Sequence, residues 1–561
     1  MDASRADIRI EGRLRKGSQR GCFFASPLFI AGVLLLNIGA PAVFSQGTAK
    51  YQQTLLAIQQ QIANGRLDQA RAAIGSAAKT YPADGGLENL LGVVEIQQGN
   101  TAAARLDFSA AIRHAPRLMG ALMNLSRLDM PAAATDKAAR AEALRFSLNV
   151  LRLDPANDEA NYQVATILNW NHDSRQSLKY LQRLSPQARV QVGAQALFCA
   201  ADAALGPADA TRQAATALIA NADLTEQDAD TCLPALRAAH RGDLIESLFA
   251  AAAAHQPLSP SGIRMLGLAQ EAEGKLSAAR STLEAAFAAN PSSVEVLIDL
   301  TRVAKAAGDD KGALGYLAHA RDLSPGDAAL PYEFATICVH MGLYAEARKA
   351  LTEALRLAPD NPDFNLGMGM VVSFSEDPSQ SLPYLEHFHE LRPNDAQGIL
   401  ALGAANFRAK DYDTAAKWLH QAAADRSTAA DAQFYLGSIA RQEGRLDEAI
   451  SDLKQSLVLH PGQADALAEL GQISVLRRNN AEAQSYFDQA LKLDPGSYAA
   501  NFGLLQLYAR TGDPRRDEQS KRFDQIKNQN EERDLQMMRT LEIRRDPDSS
   551  ASSAASGSNQ N

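Results

Sequence analysis

Prolines recur at an interval of 34 residues along much of this chain, and this interval constrains the fold more than any other feature. One series is regular except for a missing member at Ser427, and its prolines are Pro291, Pro325, Pro359, Pro393, Pro461 and Pro495. Pro82 and Pro116 have the same spacing near the other end. A constant period of this size indicates repeated supersecondary units that stack in a row.

Each 34-residue unit contains the pattern of two short helices. In the unit from Ala328 to Asn361, small or apolar residues first follow helical spacing up to Cys338, and Gly342 then interrupts them. Helical spacing resumes at Ala347, and Pro359 ends the unit because proline cannot donate the next backbone hydrogen bond. The sequence therefore predicts a helix–turn–helix in every unit.

Small residues occupy the same places in successive units, when each unit is counted from 1 to 34 with its proline at position 32. Position 8 is glycine in many units, namely Gly92, Gly267, Gly369, Gly403, Gly437 and Gly471. Position 20 is alanine at Ala279, Ala313, Ala347, Ala415, Ala449 and Ala483. Without bulky side chains at these positions, two helices can approach closely. Larger residues at position 24, such as Leu453 and Phe487, are expected to fill the space between neighbouring units.

These residues resemble the tetratricopeptide repeat family, whose 34-residue helix–turn–helix has small residues at positions 8, 20 and 27 and proline at position 32. The resemblance implies an all-α fold, a right-handed α-solenoid of stacked repeats, over residues 46–514. It is clearest over 51–118 and 260–497, and irregular over 119–259. No unit alone could bury both of its faces, so we expect stacking to do so.

The two ends of the chain differ from the repeats. Residues 1–45 combine a basic stretch with a short apolar run and small residues at Val43 and Ser45, which is typical of a cleaved secretory signal. An uncleaved membrane anchor remains the alternative. We therefore expect an exported protein, periplasmic or secreted. Residues 515–545 are highly charged and predict a C-terminal capping helix, and the composition of 546–561 predicts a disordered tail.

Composition and motifs argue against several classes of function. The net charge of −9 disfavours nucleic acid as the main partner, because phosphate contacts need a basic stripe. The four cysteines indicate neither a disulfide framework nor a zinc site. His387 and His389 are two residues apart, whereas two ligands on one helix face need a spacing of four. With no catalytic motif and no room for a separate catalytic domain, we predict a non-enzyme without cofactor or metal.

The resemblance also implies a concave groove lined by the first helix of each unit through positions 2, 5, 9 and 12, called here the groove positions. Many of these residues are large and apolar, although we expect them to face solvent. The candidate partner-binding residues are Arg264, Arg302, Lys305, Tyr332, Leu366, Met370, Phe407 and Phe434. Leu400 and Phe502 occupy further groove positions. Contiguous exposed apolar surface often marks a binding site. The alternative is that the solenoid or its own tail covers these residues.

The pattern thus predicts an exported, non-catalytic scaffold that holds a protein or peptide partner in an extended groove. An alternative is a component of an envelope assembly, or of machinery that exports or synthesises a polysaccharide. The sequence does not name the partner.

Overall fold

The structure, a computed structural model, describes residues 46–373 and 377–528. Within these ranges the regular secondary structure is helical and contains no strand. The predicted all-α solenoid of stacked helix–turn–helix repeats is confirmed. The predicted signal segment, the tail and residues 529–545 of the predicted cap lie outside the described residues. No helix among those described combines the length and the apolar composition needed to cross a membrane.

The chain divides into two compact units at Ala289/Asn290. The helices of the first unit are α1 (Gln46–Ala63), α2 (Leu67–Thr80), α3 (Gly85–Gln97), α4 (Thr101–His114), α5 (Met119–Ala133), α6 (Lys137–Leu153), α7 (Asp158–Trp170), α8 (Ser174–Leu181), α9 (Pro186–Arg189), α10 (Val192–Leu205), α11 (Ala208–Ile219), α12 (Glu226–Ala238), α13 (Gly242–His255), α14 (Pro260–Ala272) and α15 (Leu276–Ala289). In its irregular part, α10 packs against both α11 and α12.

The second unit is built from regular helix pairs. Its helices are α16 (Val294–Ala306), α17 (Asp310–Leu323), α18 (Ala329–His340), α19 (Tyr344–Leu357), α20 (Pro362–Ser373), α21 (Leu382–Leu391), α22 (Ala396–Arg408), α23 (Tyr412–Ala422), α24 (Ala429–Gln442), α25 (Leu446–Leu459), α26 (Ala464–Leu476), α27 (Asn480–Leu493) and α28 (Tyr498–Thr511). A 3₁₀ turn, Pro378–Ser381, precedes α21. The even-numbered helices of this unit are the first helices of their repeats.

Local chemistry fixes where these helices begin and how they turn. The carboxylate of Asp395 accepts a hydrogen bond from the Gly398 amide at 3.0 Å and caps α22, and Asp411 caps α23 in the same way. Between the two helices of most repeats one residue takes the left-handed conformation, as at Gly444, where φ is 77°. Lys410 and Arg478 adopt this conformation without being glycine, with φ of 64° and 62°. The turn geometry is therefore imposed by the repeat, not only by glycine.

Where position 8 is glycine, the large residue at position 24 of the same unit packs directly against it. A Cβ atom on Gly437 would lie 2.7 Å from Leu453 Cγ, and one on Gly471 would lie 2.5 Å from Phe487 Cε1. Leu453 also packs with Leu470 in the next repeat. Residues at position 24 therefore pack between neighbouring units, as expected, and in addition cover the glycine of their own unit.

Residues 516–528 are helical and cover one side of α28. Phe523 is buried, with its ring centroid 4.8 Å from that of Tyr498. The Gln519 amide donates hydrogen bonds to the carbonyl and the side-chain oxygens of Asn501, both at 3.0 Å. These contacts reduce the apolar surface that the last repeat would otherwise expose.

Candidate functional site

Seven of the eight predicted groove residues lie in the second unit. Arg264 belongs to α14 of the first unit, where it is half-buried. The remaining residues are distributed over five first helices, with Arg302 and Lys305 on α16, Tyr332 on α18, Leu366 and Met370 on α20, Phe407 on α22 and Phe434 on α24. The second unit therefore carries the candidate groove.

The groove positions differ widely in exposure, although we expected all of them to face solvent. Met370 is 51% exposed, and Arg302 and Lys305 are also exposed. Tyr332, Leu366, Phe407 and Phe434 are half-buried. The expectation is wrong for Leu400, which is only 9% exposed. The physical reason is that neighbouring first helices pack against one another, as α20, α22 and α24 do, and enclose part of the side chains between them.

Phe407 and Phe434 belong to one aromatic patch whose central ring is Tyr435. The centroid of the Tyr435 ring lies 5.4 Å from that of Phe407 and 5.2 Å from that of Phe434. Tyr412 extends the patch, since its ring lies 5.8 Å from that of Phe407. We call these four residues the aromatic patch. All four are half-buried, so each ring presents one part to the core and another to solvent.

Arg408 fixes the position of the central ring. Its guanidinium donates a hydrogen bond to the Tyr435 hydroxyl at 3.1 Å, and its carbon Cζ lies 5.9 Å from the ring centroid. A second guanidinium nitrogen lies 3.5 Å from the hydroxyl of Ser373 on α20. The polar rim of the patch is thus held by a cation that links α20, α22 and α24.

Tyr332 and Leu366 are anchored more firmly in the fold than their groove positions suggested. The Tyr332 ring lies 4.9 Å from that of Phe364 on the next first helix. Burial, with a smaller contribution from Asp363, raises the pKa of Tyr332. Leu366 packs against the cluster of Leu385 and Leu402. Both residues therefore contribute to packing as well as to the groove surface.

The basic residues lie apart from the aromatic patch, on a different first helix. Arg302 forms an ion pair with Asp299 on the same helix, with 3.1 Å between nitrogen and oxygen. Lys305 lies about one turn further along α16 and is exposed. Because Asp299 offsets part of the positive charge, this end of the second unit is less cationic than the sequence suggested.

The two neighbouring histidines on α21 have structural contacts. His387 lies 3.2 Å from a carboxylate oxygen of Asp360 and 3.3 Å from one of Glu390. These hydrogen bonds, that of Glu390 first, raise the pKa of His387. The His389 ring packs edge-on against Trp418. Among the described residues, no group of three His, Cys, Asp or Glu side chains could hold a metal ion.

Tyr435 and Arg408 were missed by the sequence reasoning. Arg408 directly follows Phe407, and Tyr435 directly follows Phe434. Each is therefore one residue beyond a groove position. The adjacent aromatic residues Phe434 and Tyr435 were a signal that could have revealed the patch. Strict counting of groove positions concealed it.

Comparison with known protein families accounts for the repeated architecture. A tetratricopeptide repeat family matches residues 304–370, and a second family with the same description matches 55–117, 264–328, 400–465 and 468–518. The chain belongs to the tetratricopeptide repeat family. Its TPR units are thus recognised in both halves of the chain. The matches include Phe407 and Phe434 and leave out the whole irregular stretch, residues 119–259.

Several solved structures are similar to this TPR protein. The APC/C hetero-tetramer Cut9–Hcn1 is 15% identical, with 81% of this chain and 89% of that chain covered and a TM-score of 0.35. A tetratricopeptide repeat protein from Parabacteroides merdae is also 15% identical, with 44% and 98% covered and a TM-score of 0.40. PilF from Pseudomonas aeruginosa is 22% identical, with 36% and 93% covered and a TM-score of 0.31. No curated protein matches the chain.

Proposed function

We propose that this TPR protein is a non-catalytic scaffold that holds a segment of a partner protein against the first helices of its second unit. TPR proteins typically mediate protein–protein interaction without catalysis, and this supports the general class. The observation that carries the proposal is a partly exposed apolar surface formed by Met370 and the aromatic patch. Apart from Tyr412 at the start of α23, these residues lie on the successive first helices α20, α22 and α24. Aromatic residues and methionine are enriched at protein–protein interfaces.

The partner segment that fits this surface has apolar side chains flanked by polar groups. Half-exposed rings can contact aliphatic or aromatic side chains without a large loss of their own conformational entropy, because they are already held by Arg408 and by one another. The exposed cations Arg302 and Lys305 favour acidic residues where the partner passes α16. The proposed partner is therefore a protein or peptide, not a nucleic acid.

We also propose that the chain is exported, on the basis of the basic and apolar pattern in residues 1–45. Mass spectrometry of the native protein should find a mature N-terminus near Gln46. An intact Met1 in the membrane fraction would support the uncleaved anchor instead. An intact Met1 in the soluble cytoplasm would contradict both forms of the proposal.

Capture followed by hydrogen exchange tests the scaffold function directly. Residues 46–561 serve as bait in an envelope extract, and each captured protein is purified and returned to the bait. Binding should slow amide exchange in the first helices α20, α22 and α24 more than in the second helices α25 and α27, since only the former carry the proposed groove surface. Equal slowing on both sets, or slowing confined to second helices, would place the binding surface elsewhere.

A further inference from the structure

Two cysteines from different helices lie together in the interior of the first unit. Cys199 on α10 and Cys232 on α12 are both completely buried and belong to the same hydrophobic cluster. Both are free thiols, and the neighbouring Cys199 helps to raise the pKa of Cys232. The sequence, in which 32 residues separate them, gave no sign of this proximity.

The backbones of the two helices are close at this point. The Cys232 thiol donates a hydrogen bond across to the carbonyl oxygen of Ala196 on α10, with a sulfur–oxygen distance of 3.2 Å. Ala196 lies three residues before Cys199 and hence on the same side of α10. Ala196 and Ala229 belong to the same cluster, and their small side chains permit the close approach. A disulfide requires such an approach, since it joins Cα atoms about 4.4–6.8 Å apart.

We propose that Cys199 and Cys232 form a disulfide that joins α10 to α12 when the protein folds in the presence of a disulfide oxidant. One cysteine, as its thiolate, attacks the disulfide of the oxidant, and this releases one thiol and leaves a mixed disulfide. The second cysteine then attacks the mixed disulfide, which closes the Cys199–Cys232 bond and releases the second thiol. The two cysteines lose two protons and two electrons, and the oxidant is reduced to two thiols.

The reaction should occur before the core closes. The hydrogen bond with Cys199, together with burial, raises the pKa of the Cys232 thiol, so the folded protein contains little of the reactive thiolate. The bond closes a loop of about 34 residues and restricts the unfolded chain accordingly. It would join helices in the irregular stretch, where the regular proline spacing is absent. This inference does not depend on the proposed partner.

Peptide mapping after refolding tests the proposal. The full chain is unfolded and reduced, refolded with oxidised glutathione, alkylated under denaturing conditions and digested with trypsin. Cys199 lies in the tryptic peptide Val190–Arg212 and Cys232 in Gln213–Arg237, each with a single cysteine. We expect these two peptides to be joined and to separate on reduction. Cys338, in Asp322–Arg348, should be alkylated and serves as an internal control.

Matched variants make the outcome specific. Cys199→Ala and Cys232→Ala should each abolish the joined peptide, whereas Cys338→Ala should leave its yield unchanged. Full alkylation of both Cys199 and Cys232 in the refolded wild-type protein would overturn the proposal, as would a bond from either residue to Cys338. Because the bond restricts the unfolded chain, it should stabilise α10–α12. The amides of these helices should therefore exchange more slowly in the oxidised protein than in the reduced protein, and equal rates would contradict this stabilisation.

Discussion

Alanine at both Phe407 and Phe434 should weaken capture of the partner at least tenfold. Large side chains at the centre of an interface often cost about 2 kcal/mol or more when truncated, and about 1.4 kcal/mol corresponds to tenfold. Both rings flank Tyr435, so the double substitution removes two sides of the aromatic patch. The dissociation constant, measured by titration calorimetry with the purified partner, checks this expectation.

The same substitutions should also lower stability, because the two rings are half-buried. Phe407 packs against the cluster of Leu400 and Leu436, and Phe434 packs against the cluster of Leu453 and Leu470. Tyr486→Ala is a matched control, since Tyr486 is half-buried against the second of these clusters but lies on the second helix α27. It should lower the melting temperature, because Tyr486 packs against the cluster. It should leave the affinity within about twofold, because Tyr486 does not lie on a groove-lining first helix. An equal loss of affinity in both variants would show that folding, not the groove, is responsible.

Met370→Lys separates binding from packing more sharply. Met370 is 51% exposed, so a lysine there should change stability by no more than about 0.5 kcal/mol while placing a charge in the proposed apolar interface. Val458→Lys is the control, because Val458 is 73% exposed on the second helix α25. We expect the affinity to fall with Met370→Lys alone. Unchanged affinity in this variant and in the Phe407/Phe434 variant would rule out the apolar part of the groove as the binding surface and leave its basic part, Arg302 and Lys305.

Gly437→Leu should loosen one part of the solenoid and leave distant repeats intact. A Cβ atom at this position would lie 2.7 Å from Leu453 Cγ and 3.2 Å from the Ala449 carbonyl oxygen. The leucine side chain cannot be accommodated unless α25 moves. Overpacking of this kind lowers the free energy of unfolding by about 1–3 kcal/mol. Hydrogen exchange should therefore accelerate by about fivefold or more between residues 396 and 497, and little before Pro116.

Gly462→Leu provides the control within the same repeat. A Cβ atom on Gly462 would have its nearest contact at 3.5 Å, with the side chain of His460. This substitution should leave exchange in α24 and α25 close to that of the wild-type protein. Uniform acceleration along the whole chain in Gly437→Leu would contradict the quasi-linear array, in which each repeat depends mainly on its neighbours.

The solenoid could be predicted from the sequence because every repeat solves the same packing problem. Small residues such as Gly437 lie beneath large ones such as Leu453, and a proline follows the second helix in most units, so these residue types recur at fixed positions. Repetition turns a weak local pattern into a strong one. The same reasoning was less complete at position 24, where the structure adds the contact with the glycine of the same unit.

The candidate site was less predictable, since exposure depends on how neighbouring helices approach. Leu400 and Met370 both occupy groove positions, but Leu400 is buried and Met370 is exposed. Tyr435 lies outside the counted stripe and still forms the centre of the aromatic patch, because Phe407 and Phe434 reach it from two different helices. Periodicity specifies the side of one helix, whereas these contacts involve residues from two or three helices.

The sequence by itself determined the fold class, the repeat length and the helix on which each candidate residue lies. Those properties depend on local spacing, which a linear pattern records directly. Only the tertiary structure decided which groove side chains remain accessible to solvent. It also decided that Arg408 donates a hydrogen bond to Tyr435, and that Cys199 and Cys232 lie in one buried cluster. Those properties depend on distances between helices that are remote in sequence, and such distances are set by the packing of all the side chains between them.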